Sequence, residues 1–213
     1  MDGAPVALVT GAAGGIGQAL TPLLTAQGFR VMGVDMKPPP DCTGIEWRCA
    51  DLASSTAIRS VVASLEPGAR GRLTAVAHLA GVYPVQPLEA YTVDLWDRVM
   101  AVNVRSAFLL VQALLAAGAP NLRSVVLTSS AAAKVGSRDP AYAASKAALL
   151  GLGRSLSLAL AERGVRVNLV LPGLIATPMS QGQTEERRVN MWLGRWWAAP
   201  VRPVGWRASS LFC

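Results

Sequence analysis

Tyr142-Ala143-Ala144-Ser145-Lys146 sets a phenol and an ammonium four residues apart, and Ser130 lies twelve residues upstream. On a helix this Tyr-x-x-x-Lys spacing puts both side chains on one face, about one turn apart. A fixed positive charge favours phenolate, so the pair predicts a tyrosine drawn toward its ionised form. A serine hydroxyl delivered from a separate strand end would hold a substrate oxygen against that phenol. Such equipment suits proton transfer to or from an alcohol or a carbonyl. It leaves the hydride to another group, and the first seventeen residues supply a seat for one.

Thr10-Gly11-Ala12-Ala13-Gly14-Gly15-Ile16-Gly17 follows an apolar run and opens a helical pattern. Glycines in that context allow a tight turn and a close backbone approach, so N–H groups at the helix start can face a pyrophosphate. Eighteen residues past Gly17, Asp35 closes the second apolar run. A carboxylate there accepts hydrogen bonds from the ribose hydroxyls of an adenosine and repels a 2′-phosphate. The loop carries no Arg. NAD is therefore expected over NADP.

The elements that must position these groups alternate along the chain. Val6–Thr10, Arg30–Asp35 and residues 44–49, 75–80, 124–129 and 165–171 read as buried strands rich in Val and Leu. Helical patterns fall near 16–27, 54–65, 94–117 and 141–163. The alternation predicts a Rossmann-like α/β fold, a doubly wound parallel sheet in three αβα layers, with ligands beyond the carboxyl ends of the strands. Ala107, Leu110, Val111, Leu114 and Leu115 crowd one late helix; Leu149, Leu150, Leu152, Leu156 and Leu160 crowd the other. These apolar helices read equally as deep core or as a homo-oligomer contact.

Composition narrows the function classes. At 213 residues, 52% hydrophobic and 15% charged, the chain suits one globular domain. No apolar run approaches the roughly 20 residues that span a bilayer, and the N-terminus lacks a signal-like basic segment. A cytoplasmic protein with no membrane partner is expected. Three cysteines without a CxxC argue for isolated thiols, and the single histidine, His78, excludes sites with several imidazole ligands. No metal site and no GxSxG elbow is expected. Of the net charge of +7, residues 1–180 carry 15 Lys/Arg against 11 Asp/Glu, and the last 33 residues carry five Arg against two Glu. So mild an excess on the body, next to an anionic dinucleotide, calls for no nucleic-acid partner.

TGAAGGIG, Asp35, Asp51-Leu52, His78-Leu79-Ala80-Gly81, Asn103, Ser130, YAASK and Pro172-Gly173 with Thr177 together resemble the short-chain dehydrogenase/reductase family in order and approximate spacing, over residues 5–180. The resemblance implies an NAD(H)-dependent oxidoreductase that interconverts a small secondary alcohol and a ketone. It implies Tyr142 as general acid/base, Lys146 as the group that lowers the phenol pKa and holds the nicotinamide ribose, and Ser130 as the group that orients the substrate oxygen. Asn103 would support a water relay to Lys146. The cofactor would rest on Gly11, Gly15, Ile16 and Gly17, with Asp35 on its ribose and Asp51 and Leu52 at adenine. Ala80 and Gly81 would line its ribose side, and Ile175 and Thr177, after the Pro172-Gly173 turn, would hold the carboxamide.

The chain departs from that family pattern in three places. His78 stands where an Asn is usual and reads as the end of a strand. The serine-to-tyrosine interval is one residue short; Ser129 would restore it, but Ser130 keeps Ala133 and Gly136 in register, so Ser130 is chosen and the loop 137–140 is read as shortened. Beyond Met179 the expected later helix and last strand are not recognisable. Trp192, Trp196, Trp197 and Trp206 cluster there with Arg and Pro and no amphipathic period. Residues 1–189 are thus read as the dinucleotide-binding and catalytic domain, and 190–213 as an atypical tail from a shifted frame or alternative splicing, or else a genuine Trp/Arg lid or membrane-surface patch. The rival functional reading is a shortened, catalytically impaired member that only binds cofactor or a partner.

Overall fold

The computed structural model of the chain describes residues 3–38, 43–175, 177 and 179. Strands β1 (Val6–Thr10), β2 (Arg30–Asp35), β3 (Ile45–Cys49), β4 (Leu73–His78), β5 (Ser124–Thr128) and β6 (Arg166–Val170) form one sheet in the order β3-β2-β1-β4-β5-β6. Every neighbouring pair is parallel. The order reverses beside β1, the switch point of a Rossmann sheet. The connecting helices are α1 (Gly15–Ala26), α2 (Ser55–Ala63), α3 (Pro67–Gly71), α4 (Val93–Met100), α5 (Ser106–Ala116), α6 (Ala132–Val135) and α7 (Pro140–Leu160). The sequence reading lacked α3 and α6, whose five and four residues are too few to show a helical period.

Helices cover both faces of the sheet. On one, Leu8 and Met32 meet Ile58 of α2, Leu110 and Leu114 of α5 and Leu149 of α7. Each of these side chains is at most 2% exposed, and burial contributes about 1.5–3 kcal/mol apiece. On the other face, Val9 and Val31 pack with Leu20 and Leu24 of α1. This two-sided burial explains why β1 reads as a continuous apolar run and is buried at all five positions.

Polar residues set the helix starts. Ser54 Oγ accepts the Ala57 N–H at 3.2 Å, and Thr92 Oγ1 accepts the Leu95 N–H at 3.1 Å. At α7 the Asp139 carboxylate accepts the Tyr142 N–H at 2.8 Å, with Pro140 in the first turn. These caps fix where each helix begins, and so the height of Tyr142 above the sheet.

Val93–Ala116 runs as one helical rod, long and apolar enough by length and composition to cross a membrane. That corrects the expectation of no such stretch: Asp94, Asp97 and Arg98 lie in its first turns, and Arg105 is the one charge beyond them. Half of the apolar stretch is nevertheless buried inside the domain, which is how a core helix behaves. The same burial takes up most of the leucines on the two apolar helices. Leu110, Leu114, Leu149 and Leu160 belong to the main core, and Leu152 and Leu156 pack against it. Phe108 and Leu158 remain at 42% and 81% exposure. The whole 190–213 segment and the expected last strand lie outside the described residues.

Candidate active site

Segments at the carboxyl ends of β1, β4, β5 and β6 enclose a pocket of about 960 Å³. The first is pure backbone. Gly11 has φ +67°, and a Cβ there would lie 2.6 Å from the Ala80 nitrogen. A Cβ on Gly17 would strike the Ala12 Cα at 2.6 Å. The turn is tied down by Gly11 N–H to Val34 carbonyl at 2.9 Å and Gly14 N–H to Gly11 carbonyl at 3.0 Å. Gly14 caps α1 without a side-chain acceptor, so the first turn of the helix presents its N–H groups to the pocket. A cradle of backbone that the glycines let fold this tightly, opening on a helix N-terminus, fits a dinucleotide pyrophosphate.

The second wall carries the hydroxyls. Ser130, Tyr142 and Lys146 all line the pocket. The Ser130 hydroxyl accepts the Ala132 N–H at 3.1 Å, and Ser130 bears on the Tyr142 phenol so as to favour its ionised form. Ser129 instead is buried and donates to the Lys146 carbonyl at 2.6 Å, whereas Ser130 lies beside the phenol. Lys146 is 4% exposed; its Nζ donates to the Thr128 carbonyl at 2.8 Å and lies 5.6 Å from the centre of the Tyr142 ring.

The protonation pattern departs from expectation. Burial raises the Tyr142 phenol above its ordinary value, with the Ser130 hydrogen bond pulling the other way and the Tyr83 and Asp139 charges adding to the rise. The expected downward pull from Lys146 is overridden. Desolvation penalises the phenolate more than an ammonium bound to a carbonyl can repay. The ammonium itself is costly there: burial lowers Lys146 to about 8.

Asn103 lies beneath the pocket, fully buried, in a π-helical turn (Ala101–Arg105) between α4 and α5. Its Oδ1 accepts the Val82 N–H at 2.8 Å; its Nδ2 donates to the Val82 carbonyl at 3.1 Å and to Ser145 Oγ at 2.9 Å. Gly81 separates Asn103 from Lys146: a Cβ on it would lie 3.3 Å from Nζ and 3.4 Å from Asn103 Oδ1. The structure thus brings Asn103, Gly81, Lys146 and Tyr142 together in one place.

Other named residues divide. Gly15, Ile16, Pro172, Gly173, Ile175 and Thr177 line the pocket. Asp35 ends β2 and accepts the Ala13 and Met36 N–H groups at 3.0 and 2.7 Å, so it also shapes the glycine loop. Asp51 is paired with Arg98 at 2.6 Å and accepts the Ala53 N–H at 2.9 Å. The Arg98 bond holds its carboxyl below the usual range. Leu52 is 6% exposed and packs into the core, and Ala80 is 8% exposed against the Gly11 turn. His78 ends β4 as read, fully buried, its Nε2 2.7 Å from Ser106 Oγ. Ser106 gives its own proton to the Val102 carbonyl, so Nε2 donates and Nδ1 is left without a partner among the described residues. Burial, then the Lys146 charge, lower His78 to about 3.

Two further groups bear on the site. Tyr83 lies across the pocket with its ring 4.6 Å from that of Tyr142 and its hydroxyl 3.3 Å from Ser137. Asp139 is 0% exposed yet accepts from the Tyr142 N–H, the Tyr91 hydroxyl and the Val85 N–H. Val85 has φ +57°, a conformation that costs a β-branched residue about 1–3 kcal/mol. The Asp-Pro pair at 139–140 signals a helix cap, but nothing in it points to partners some 50 residues earlier.

A Rossmann sheet with a glycine cradle at its switch point and a Ser-Tyr-Lys cluster on the facing wall defines a dinucleotide-dependent oxidoreductase class. The family model for short chain dehydrogenases matches residues 5–188, and the chain belongs to that family. It is 33% identical over 199 residues to the (3R)-3-hydroxyacyl-CoA dehydrogenase of Canis lupus familiaris, covering 83% of this chain and 76% of the relative. It is 30% identical over 195 residues to the 3-oxoacyl-[acyl-carrier-protein] reductase FabG of Salmonella typhimurium, covering 87% and 80%. In fold it is similar to Thermoplasma acidophilum aldohexose dehydrogenase (TM-score 0.78, 22% identity, 92% and 78% covered). The fold is also similar to that of a 4-hydroxyisoleucine dehydrogenase complexed with NADH (TM-score 0.73, 23% identity, 82% and 77% covered).

Proposed function

We propose that this family oxidoreductase interconverts a secondary alcohol and a ketone with NAD(H), Tyr142 serving as the proton carrier. The observation that carries the reading is that Ser130, Tyr142 and Lys146 line the same pocket as the glycine cradle. A bound nicotinamide supplies the hydride. The chain's residues do the rest. Gly11, Gly15, Ile16 and Gly17 seat the phosphates, Asp35 takes the ribose hydroxyls, and Ile175 and Thr177 flank the ring. Ser130 holds the substrate oxygen against the phenol. With its pKa raised by burial, Tyr142 is protonated at neutral pH and acts first as a general acid, giving its proton to a carbonyl oxygen as the alcohol forms. Lys146 resupplies the proton from beneath, and Asn103 supports a water relay that reaches it.

The similarity to enzymes of 3-hydroxyacyl and 3-oxoacyl thioesters makes a 3-oxoacyl thioester the first substrate to offer. Tyr142→Phe is expected to bind NADH normally while turnover falls by about 10²–10⁴-fold. Oxidation should speed up with rising pH below the phenol pKa, because it needs the phenolate, whereas reduction should not. Normal turnover in Tyr142→Phe would remove the assignment. NADH binding without turnover of any alcohol or ketone would favour the cofactor-binding, non-catalytic reading.

A further inference from the structure

Asp139 has a stronger grip than a helix cap needs. One of its carboxylate oxygens accepts the Tyr142 N–H at 2.8 Å and the Tyr91 hydroxyl at 2.9 Å; the other accepts the Val85 N–H at 2.9 Å. Two of the three donors belong to the 82–91 segment, which carries Tyr83 against the catalytic ring. Val85, the donor on that segment's backbone, is the one non-glycine described residue with positive φ. A conformation unfavourable in itself is held there by a fully buried charge on the facing helix.

We propose that Asp139 is a positioning residue that locks the 82–91 wall of the pocket to the start of α7, so that Tyr83 and the Tyr142 phenol keep one fixed spacing around the substrate. This deepens the dehydrogenase reading and rests on it for its kinetic consequences. A cap alone needs one acceptor oxygen. The second oxygen and the Tyr91 bond reach elements about 50 residues away in sequence, and both end on the same short segment. Charge follows geometry: the groups facing Tyr142 are Asp139 and Lys146 from its own helix, Ser130 beyond β5 and Tyr83 beyond β4, and of these Asp139 carries the buried negative charge.

The test compares Asp139→Asn with Tyr91→Phe, the second leaving the cap and the charge intact. With a turned-over carbonyl substrate, Tyr91→Phe should raise KM about 3- to 10-fold and Asp139→Asn more, while the NADH dissociation constant stays within about twofold. In Asp139→Asn the Tyr142 phenol should titrate at lower pH, since a facing negative charge is gone. That titration is read as the phenolate absorbance lost on adding Tyr142→Phe to each background. A wild-type KM in Tyr91→Phe overturns the proposal, even if Asp139→Asn fails to fold. If no substrate turns over at all, the dehydrogenase reading falls separately, and an unchanged phenol titration in Asp139→Asn then overturns this one.

Discussion

At the end of β1 the pocket wall is backbone, and at the end of β5 it is side chain. The 11–17 loop presents N–H groups and works because Gly11 and Gly17 have nothing where a Cβ would be. The opposite wall works through Ser130, Tyr142, Lys146, Asn103 and Asp139, which are held in place by hydrogen bonds spanning up to 54 residues of sequence. A backbone site tolerates no added atom, whereas a side-chain site tolerates atoms but not the loss of a partner. The first should fail in binding and the second in chemistry.

Gly11→Ala offers the sharpest break. It forces a side chain into a left-handed turn and against the Ala80 backbone. NADH affinity should fall by about 100-fold or more, with about 1–3 kcal/mol of stability, as read by fluorescence titration and thermal unfolding. Near-normal binding would mean that the two walls do not divide their labour this way.

His78 tests the buried side-chain wall by pH. Its folded-state pKa, about 3, lies below the unfolded value of 6.5. Its contribution is therefore fully present above pH 6.5 and is lost as pH falls toward 3, where the unfolded chain binds a proton that the fold refuses. At about pH 4.5 the loss should reach roughly 2–3 kcal/mol, and His78→Gln should flatten that part of the stability–pH curve. An unchanged slope in urea unfolding would count against a neutral buried imidazole.

Asp35→Ala is the mildest change and straddles the comparison, since Asp35 is a side chain that supports the backbone loop. Preference for NAD over NADP should drop by about tenfold as the repulsion of a 2′-phosphate disappears. An unaltered ratio of kcat/KM for the two cofactors would sink the NAD assignment.

Much of this was readable from the residues because the strands are buried on both faces and glycines mark a turn at a fixed offset from β1. The Tyr142–Lys146 face follows from helical spacing. What escaped depended on long-range packing. The upward push on the Tyr142 phenol comes from burial that no spacing reveals, and the Lys146 ammonium answers to the Thr128 carbonyl rather than to the ring. Asp51 meets Arg98 from a helix 47 residues on. Leu52 is taken up by the main core.

The π turn at Ala101–Arg105 gives Val93–Ala116 two phases in one rod. An extra residue in a turn rotates everything after it by about 100° relative to an uninterrupted helix. The α4 half and the α5 half can then each point an apolar stripe inward, while Asn103 occupies the seam between the two phases. Removing a single residue from this turn would restore a regular helix with both stripes still in step, but would take away the widened turn that seats Asn103. The polar anchor beneath the pocket is thus held by a counting irregularity, and a deletion, more than any substitution, would dislodge it.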